Sequence, residues 1–284
     1  MPQIAFVTDS TAYIPDSLAK AYEISVAPQV LIWDGQTFLD GGDIQPNDFY
    51  KRLQTARVMP TTSQVPVPEM LKLFQGLTNR GLQVMGIFIS AKLSGTMQSA
   101  LQARAELASV ADRVTIVDSN ATAMALGFQV LAAARAARDG ASVQDCKALL
   151  EKSRDHVGVY FAVETLEFLH RGGRIGGGQR FIGSALNLKP ILALKNGQIE
   201  AEDRVRTKAK ALDRILQLVK EEVAGKSRIR LATVHANAEA EARSLLDRAT
   251  RELGAVESIL SSVSPVVGAH AGPGTVGLAF MTDL

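Results

Sequence analysis

Short apolar runs alternate with amphipathic stretches through the first half of the chain. The apolar runs predict strands at residues 3–7, 25–33, 84–90 and 114–118. The amphipathic stretches predict helices from residue 15 and at 46–54, 68–79, 95–109, 121–138 and 142–156, with a loop around residue 60. Continuous apolar strands separated by helices are typical of a parallel sheet covered on both faces, so a three-layer α/β domain is expected.

Beyond residue 155 the pattern changes, and fewer helices separate the strands. Strands are predicted at 157–163, 229–235, 256–263 and 275–281, and helices at 207–223 and 238–253. Residues 190–201 predict a hairpin, because Asn196-Gly197 supplies the positive φ angles of a type I′ turn. We therefore expect an α+β domain with a mixed sheet, and two domains that cover residues 1–155 and 156–284.

The charged residues nearly cancel, with 31 Lys and Arg against 29 Asp and Glu among 284 residues. No general field for nucleic acid or for a membrane surface is therefore expected. The single cysteine, Cys146, excludes an internal disulfide and is expected to be a buried thiol. The apolar stretch 121–134 is shorter than the roughly 20 residues that span a bilayer, and the N-terminus lacks a signal-peptide pattern. We expect a cytoplasmic protein without stable membrane insertion.

Four short polar segments follow strands or precede helices, where open α/β sheets place their ligand sites. In Ser94-Gly95-Thr96, a hydroxyl ahead of a helix offers an anion both its O–H and the free backbone N–H groups. Helix capping by Ser94 and turn formation at Thr62 and Asp9 are the simpler alternatives. His270 stands among small residues, so a ligand can reach its ring. The four segments are residues 8–11, 60–64, 90–96 and 268–274.

Motifs for metal, nucleotide or nucleophilic chemistry are missing from the sequence. No histidine pair has the spacing of a metal site, and neither a Gly-x-Ser-x-Gly elbow nor a phosphate-binding loop is present. The glycine run 172–178 nearly has the dinucleotide-binding spacing, but the segment before it looks helical rather than extended. No metal and no catalytic residue is therefore predicted. Basic residues cluster at Arg171, Arg174 and Arg180 and again at 204–210, either as a solvated face or as a dock for an acidic partner.

The ordered set of segments resembles the DegV family over the whole chain. No single segment is specific, but their order along the chain is. The segments that carry the resemblance are Thr8-Asp9-Ser10-Thr11, Pro60-Thr61-Thr62-Ser63-Gln64, Lys92-Leu93-Ser94-Gly95-Thr96, Gln98-Ser99-Ala100, Val117-Asp118-Ser119, Thr165-Leu166-Glu167-Phe168-Leu169, Gly172-Gly173-Arg174-Ile175-Gly176, Lys189-Pro190-Ile191-Leu192, Val205-Arg206-Thr207 and Gly268-Ala269-His270-Ala271-Gly272-Pro273-Gly274.

The resemblance implies a two-domain DegV-like fold that encloses one long-chain fatty acid, such as palmitate or oleate. The chain would act as the non-catalytic lipid-binding subunit of a bacterial fatty-acid kinase, without a cofactor. A separate ATP-binding subunit would phosphorylate the carboxylate. By position, Thr62, Ser94 and His270 would hold the carboxylate. Gly95 and Thr96, which follow Ser94 in the chain, would belong to the same binding site.

The same resemblance assigns a partner-facing role to Arg174, with Arg204 and Arg206 as further candidates for contact with the kinase subunit. Two departures from the family pattern stand out. Ala271 replaces a common threonine, which removes one hydroxyl from the head-group network. Gly177 and Gly178 extend the glycine run, which changes the loop that would meet the partner.

Two other functions remain open from the sequence. The first is a stand-alone enzyme, either a hydrolase or a small-molecule phosphotransferase, that uses His270 as a base. Fold kinship with domains of the dihydroxyacetone-kinase type supports that alternative. The second is a regulatory protein whose lipid is merely structural.

Overall fold

The computed structural model describes residues 3–181 and 188–283, and it has a mixed α/β architecture. Among these residues the strands are β1 Ile4–Asp9, β2 Ser25–Ala27, β3 Val30–Trp33, β4 Gln36–Leu39, β5 Thr61–Ser63, β6 Gln83–Phe88, β7 Val114–Asp118, β8 Val157–Ala162, β9 Lys189–Lys195, β10 Gln198–Val205, β11 Arg230–His235, β12 Glu257–Ile259 and β13 Val276–Met281. The α-helices are α1 Asp16–Ala21, α2 Pro46–Gln54, α3 Val67–Thr78, α4 Thr96–Ala105, α5 Ala123–Arg138, α6 Val143–Ser153, α7 Glu167–Arg171, α8 Lys208–Glu222, α9 Glu239–Leu253 and α10 Pro265–Ala271. Short 3-10 helices lie at Ser10–Ala12, Ala108–Arg113 and Gly176–Phe181.

The first sheet has four parallel strands in the order β2-β1-β6-β7. Helices α3 and α4 cover one face, where Phe74 and Ala100 pack on Val84 and Phe88. Helix α5 covers the other face, which confirms the three-layer arrangement expected for the first half. The chain leaves β1 toward one edge of the sheet and β6 toward the other, so the carboxyl ends of these two strands form a topological switch point.

The second sheet has six strands in the order β10-β9-β8-β13-β11-β12. Only the β11–β12 pair is parallel among these strands, which confirms the mixed sheet expected for the second half. The hairpin between β9 and β10 is also confirmed, with φ of 49° at Asn196 and 79° at Gly197. Helices α8 and α9 bury one face of the sheet through residues such as Ile215 and Leu245.

Helix α5 lies between the two large sheets. It packs against β1 and β6 on one side and against β8, β11 and β13 on the other. Its residues from Ala123 to Leu131 are all buried, because an apolar helix with sheets on two sides has no solvated face. Cys146 is also buried, as expected. The domain boundary between residues 155 and 156 stays a prediction.

A third, small antiparallel sheet, in the order β4-β3-β5, was not expected from the sequence. The predicted single strand at 25–33 is wrong, because Pro28 separates β2 in the parallel sheet from β3 in the small one. The predicted loop around residue 60 extends only to Pro60, since Thr61–Ser63 is strand β5 and pairs with β3. The predicted strand 256–263 is regular only over Glu257–Ile259.

Helix α10 and strands β4 and β5 were missed by the sequence pattern. The other helices and strands of the described residues correspond to predicted ones within a few residues at each end. Within residues 3–181 and 188–283, no helix combines the length and the apolar character needed to cross a membrane.

Candidate functional site

A cavity opens at the switch point between β1 and β6 and extends to the inner face of the six-stranded sheet. With its open mouth it holds about 980 Å³. Polar side chains line one part of the wall, and they are Thr11, Gln29, Thr62, Ser63, Gln64, Ser94, Thr122, Arg174, His270 and Thr275. Apolar side chains line most of the rest, and they are Ile89, Leu93, Ala123, Val159, Phe161, Leu169, Leu194, Ile199, Val234, Val263, Val266, Val267 and Ala271.

The floor of the cavity comes from the six-stranded sheet. Phe161 on β8 and Val234 on β11 both pair in register with Gly277 of the strand between them. Leu194 and Ile199 face each other across the β9–β10 hairpin. These side chains give the cavity an apolar surface suited to a hydrocarbon rather than to a sugar or a nucleotide.

Thr62 and His270 meet although 208 positions separate them in the chain. The distance from Thr62 Oγ1 to His270 Nε2 is 2.7 Å. Pairing of β5 with β3 turns Thr62 toward the cavity while Thr61 remains exposed. His270 lies in the last turn of α10, so the pair joins the small sheet to that helix.

The His270 imidazole is neutral at physiological pH. Burial, together with the nearby positive charge of Arg174, lowers the pKa of His270 to about 4. Among the described residues, its Nδ1 has no hydrogen-bond partner. A neutral ring with Nε2–H donating to Thr62 Oγ1 leaves the threonine proton free for a ligand oxygen.

Ser94, Gly95 and Thr96 form the second polar part of the site. Ser94 Oγ lies 3.0 Å from Thr96 Oγ1 and accepts a hydrogen bond from the Thr96 N–H at 3.3 Å. Ser94 and Gly95 line the cavity, whereas Thr96 is fully buried behind them. A side chain at position 95 would overlap the amide of Gln64, so this exposed side chain would have to move to make room for it.

The simpler roles considered for these segments hold in part. The N-cap of α4 is Gly95 rather than Ser94, although Ser94 does accept from the first helical N–H. The turn role of Asp9 is confirmed, because its Oδ1 accepts from the Thr11 N–H at 3.0 Å. Turn formation is wrong for Thr62, which lies in a strand.

Arg174 lines the cavity, which the sequence did not indicate. Its Nε donates to the Leu93 carbonyl at 3.0 Å and its Nη1 to the Gly172 carbonyl at 2.7 Å. The side chain is half-buried and lines the cavity, so a ligand in the cavity can contact it. Arg204 and Arg206 are exposed and do not line the cavity, and the Arg204 guanidinium lies 5.5 Å from the centre of the Phe181 ring. A partner interface on these arginines stays a prediction.

Helix α10 had a signal in the sequence that was not used. Ser264 caps it by accepting from the Val267 N–H, and Pro265 occupies its first position. Serine followed by proline is a common start of a helix. Within the described residues, no group of three or more His, Cys, Asp or Glu side chains is arranged to hold a metal ion.

The family model described as "Uncharacterised protein, DegV family" matches residues 3–283. The chain belongs to the DegV family. A DegV domain-containing protein of Streptomyces coelicolor is 37% identical to this DegV chain over 278 residues, which cover 97% of each.

Two solved DegV structures share the fold. A DegV family protein from Thermus thermophilus, described as binding fatty acid, is 35% identical, with a TM-score of 0.93 over 99% of this chain and 100% of the other. DegV of Bacillus subtilis, described as a fatty acid binding protein, is 33% identical, with a TM-score of 0.90 over the full length of both chains. The DegV-like fold expected from the resemblance is therefore confirmed.

Proposed function

We propose that this DegV chain binds one long-chain fatty acid, such as palmitate or oleate, with its carboxylate at Thr62, Ser94 and His270. The observation that carries the proposal is the Thr62–His270 pair in a cavity whose wall is mostly apolar. The fatty-acid binding of the Thermus thermophilus and Bacillus subtilis relatives supports it.

The energetics divide the work between the acyl tail and the head group. Burying about sixteen carbons contributes on the order of 10 kcal/mol at about 0.8 kcal/mol per CH₂. Association and ordering costs remove a large part of that gain. Taking the carboxylate out of water without hydrogen-bond partners would cost several kcal/mol. The hydroxyl groups of Thr62 and Ser94 and the positive charge of Arg174 offset this cost.

The chain itself is proposed to be non-catalytic and to present the carboxylate to a separate ATP-dependent kinase subunit that forms the acyl phosphate. Exposed Arg180, Arg204 and Arg206 support an acidic partner, because within the described residues none of them forms an ion pair, whereas Arg171 pairs with Glu167. A stand-alone enzyme using His270 is less well supported. A base whose conjugate acid has a pKa of about 4 removes protons poorly near pH 7.

Native mass spectrometry of the full chain purified from bacteria is expected to show one bound long-chain fatty acid. Addition of ATP and the kinase subunit should then produce acyl phosphate, and the chain with ATP alone should not. A protein that is consistently free of ligand and does not take up added palmitate or oleate would contradict the binding proposal. ATP turnover without a partner would instead support the stand-alone enzyme.

Replacing Thr62 by valine should weaken fatty-acid binding about ten- to a hundredfold, because a hydrogen bond to a charged group contributes about 1.5–3 kcal/mol. The variant keeps the shape of the side chain on a β-strand. Thr61→Val is the matched control, since its side chain is exposed on the same strand. Titration calorimetry with palmitate measures both. Equal weakening in the two variants would assign the effect to the strand rather than to the Thr62 hydroxyl.

A further inference from the structure

A second polar group of side chains lines the same cavity as the Thr62–His270 pair. We call Thr11, Gln29 and Thr122 the polar corner. Thr11 follows β1, Gln29 precedes β3 and Thr122 precedes α5, and all three line the cavity. Thr11 Oγ1 and Gln29 Nε2 both donate to Asp9 Oδ1, at 2.5 and 3.2 Å, so these two side chains are neighbours. The 3-10 helix that contains Thr11 packs against α5, which brings Thr122 to the same region.

The hydroxyl of Thr122 is buried in this wall without a partner. Among the described residues, nothing accepts from or donates to its Oγ1. Thr122 is the N-cap of the 16-residue helix α5, but its side chain makes no capping bond. A buried hydroxyl without a partner costs about as much as a lost hydrogen bond, so it points to a polar group that meets it from the cavity.

The start of α5 adds unused donors beside this hydroxyl. Within the described part of the chain, no acceptor is found for the backbone N–H groups of Ala123, Met124 and Ala125, which are buried. Buried helix starts normally find partners for these groups. Ala123 itself lines the cavity, so a ligand that reaches Thr122 also reaches the start of the helix.

An acceptor completes the polar corner. Gln29 is 3% exposed, and within the described residues its side chain makes one hydrogen bond, through Nε2, which leaves the amide oxygen to accept. Burial raises the pKa of Asp9. Hydrogen bonds from Thr11, Ile89 and Gln29 act in the opposite direction, and no cation contributes to lowering this pKa. A neutral group that both donates and accepts therefore fits better than an anion.

We propose that the polar corner binds a hydroxyl group on the acyl chain, so that hydroxylated long-chain fatty acids are preferred ligands of this cavity. The ligand hydroxyl accepts from Thr122 or from the start of α5 and donates to the Gln29 oxygen. The inference rests on the proposed function, because it names a substrate class for the same cavity.

The test compares palmitic acid with a positional series of monohydroxypalmitic acids by titration calorimetry on the full chain. At least one isomer is expected to bind the native protein about three- to tenfold more tightly than palmitic acid, the gain of a typical hydrogen bond. Thr122→Val should bind palmitic acid more tightly and lose the preference for the hydroxylated isomer. Thr122→Ser retains the hydroxyl and should retain the preference, which controls for packing changes.

Two results would overturn the inference. One is that no hydroxylated isomer binds more tightly than palmitic acid to the native protein. The other is that the preference persists unchanged in a folded Thr122→Val protein. In both cases, binding of palmitic acid to the native protein leaves the proposed function intact. A native protein that binds no fatty acid at all would instead reject the proposed function.

Discussion

Replacing Gly172 by alanine is expected to lower the affinity for a long-chain fatty acid about ten- to a hundredfold while the protein stays folded. A methyl group at this position would overlap Nδ1 of the His270 imidazole. The backbone at Gly172 is helical, with φ of −74°, so alanine causes no backbone strain. The imidazole must therefore move away from Thr62, and the head group loses a hydrogen-bond network worth about 1.5–3 kcal/mol.

Gly173→Ala is the matched control for this prediction. Its φ is 69°, so alanine there costs about 1–2 kcal/mol of backbone strain. A methyl group at position 173 meets no heavy atom within 4 Å, however, and His270 stays in place. Titration calorimetry with palmitate should therefore separate the two variants by affinity. Equal, native-like affinity of Gly172→Ala would remove His270 from the head-group network.

The contrast between local and distant contacts explains what the sequence could predict. The β9–β10 hairpin is encoded by two adjacent turn residues, Asn196 and Gly197, and was predicted correctly. Strand β5 consists of three polar residues, and only its pairing with β3 makes it extended. No local pattern contains that pairing, so Thr61–Ser63 was expected to be a loop.

The candidate site shows the same limit more strongly. The Thr62–His270 contact joins residues 208 positions apart, and family resemblance rather than spacing brought them together in the sequence analysis. Family resemblance also assigned Arg174 to a partner interface. Its hydrogen bonds to the carbonyls of Leu93 and Gly172 depend on how the glycine-rich loop folds back, which residue type does not reveal.

The native protein is expected to lose stability as the pH rises from about 4 to about 6, and the Asp40→Asn variant is expected not to show this loss. Asp40 is 3% exposed and accepts from Ser10 Oγ at 2.7 Å. Its other oxygen lies 3.4 Å from the Val266 N–H at the start of α10, the helix that carries His270. Burial, together with the charge of nearby Asp9, raises the pKa of Asp40 from 3.8 to about 6.

The sign follows from proton binding. Between pH 4 and pH 6 the folded protein holds the Asp40 proton while the unfolded chain has lost it, so the free energy of unfolding falls as the pH rises. At about 1.4 kcal/mol per pKa unit, the loss from this group is about 3 kcal/mol and is complete above pH 6. The ionised carboxylate persists at neutral pH because Ser10 and the start of α10 donate to it.

Urea unfolding of both proteins at pH 4, 5, 6 and 7 measures this difference. Asparagine does not titrate, so the gap between the native and Asp40→Asn proteins should change by about 3 kcal/mol across the series, whatever its constant offset. Asp48→Asn, on the exposed face of α2, should run parallel to the native protein. Parallel curves for Asp40→Asn would show that Asp40 keeps the same pKa in the folded and unfolded chains. A confirmed change would instead mean that α10, and with it His270, is anchored by a carboxylate whose burial destabilises the fold at neutral pH.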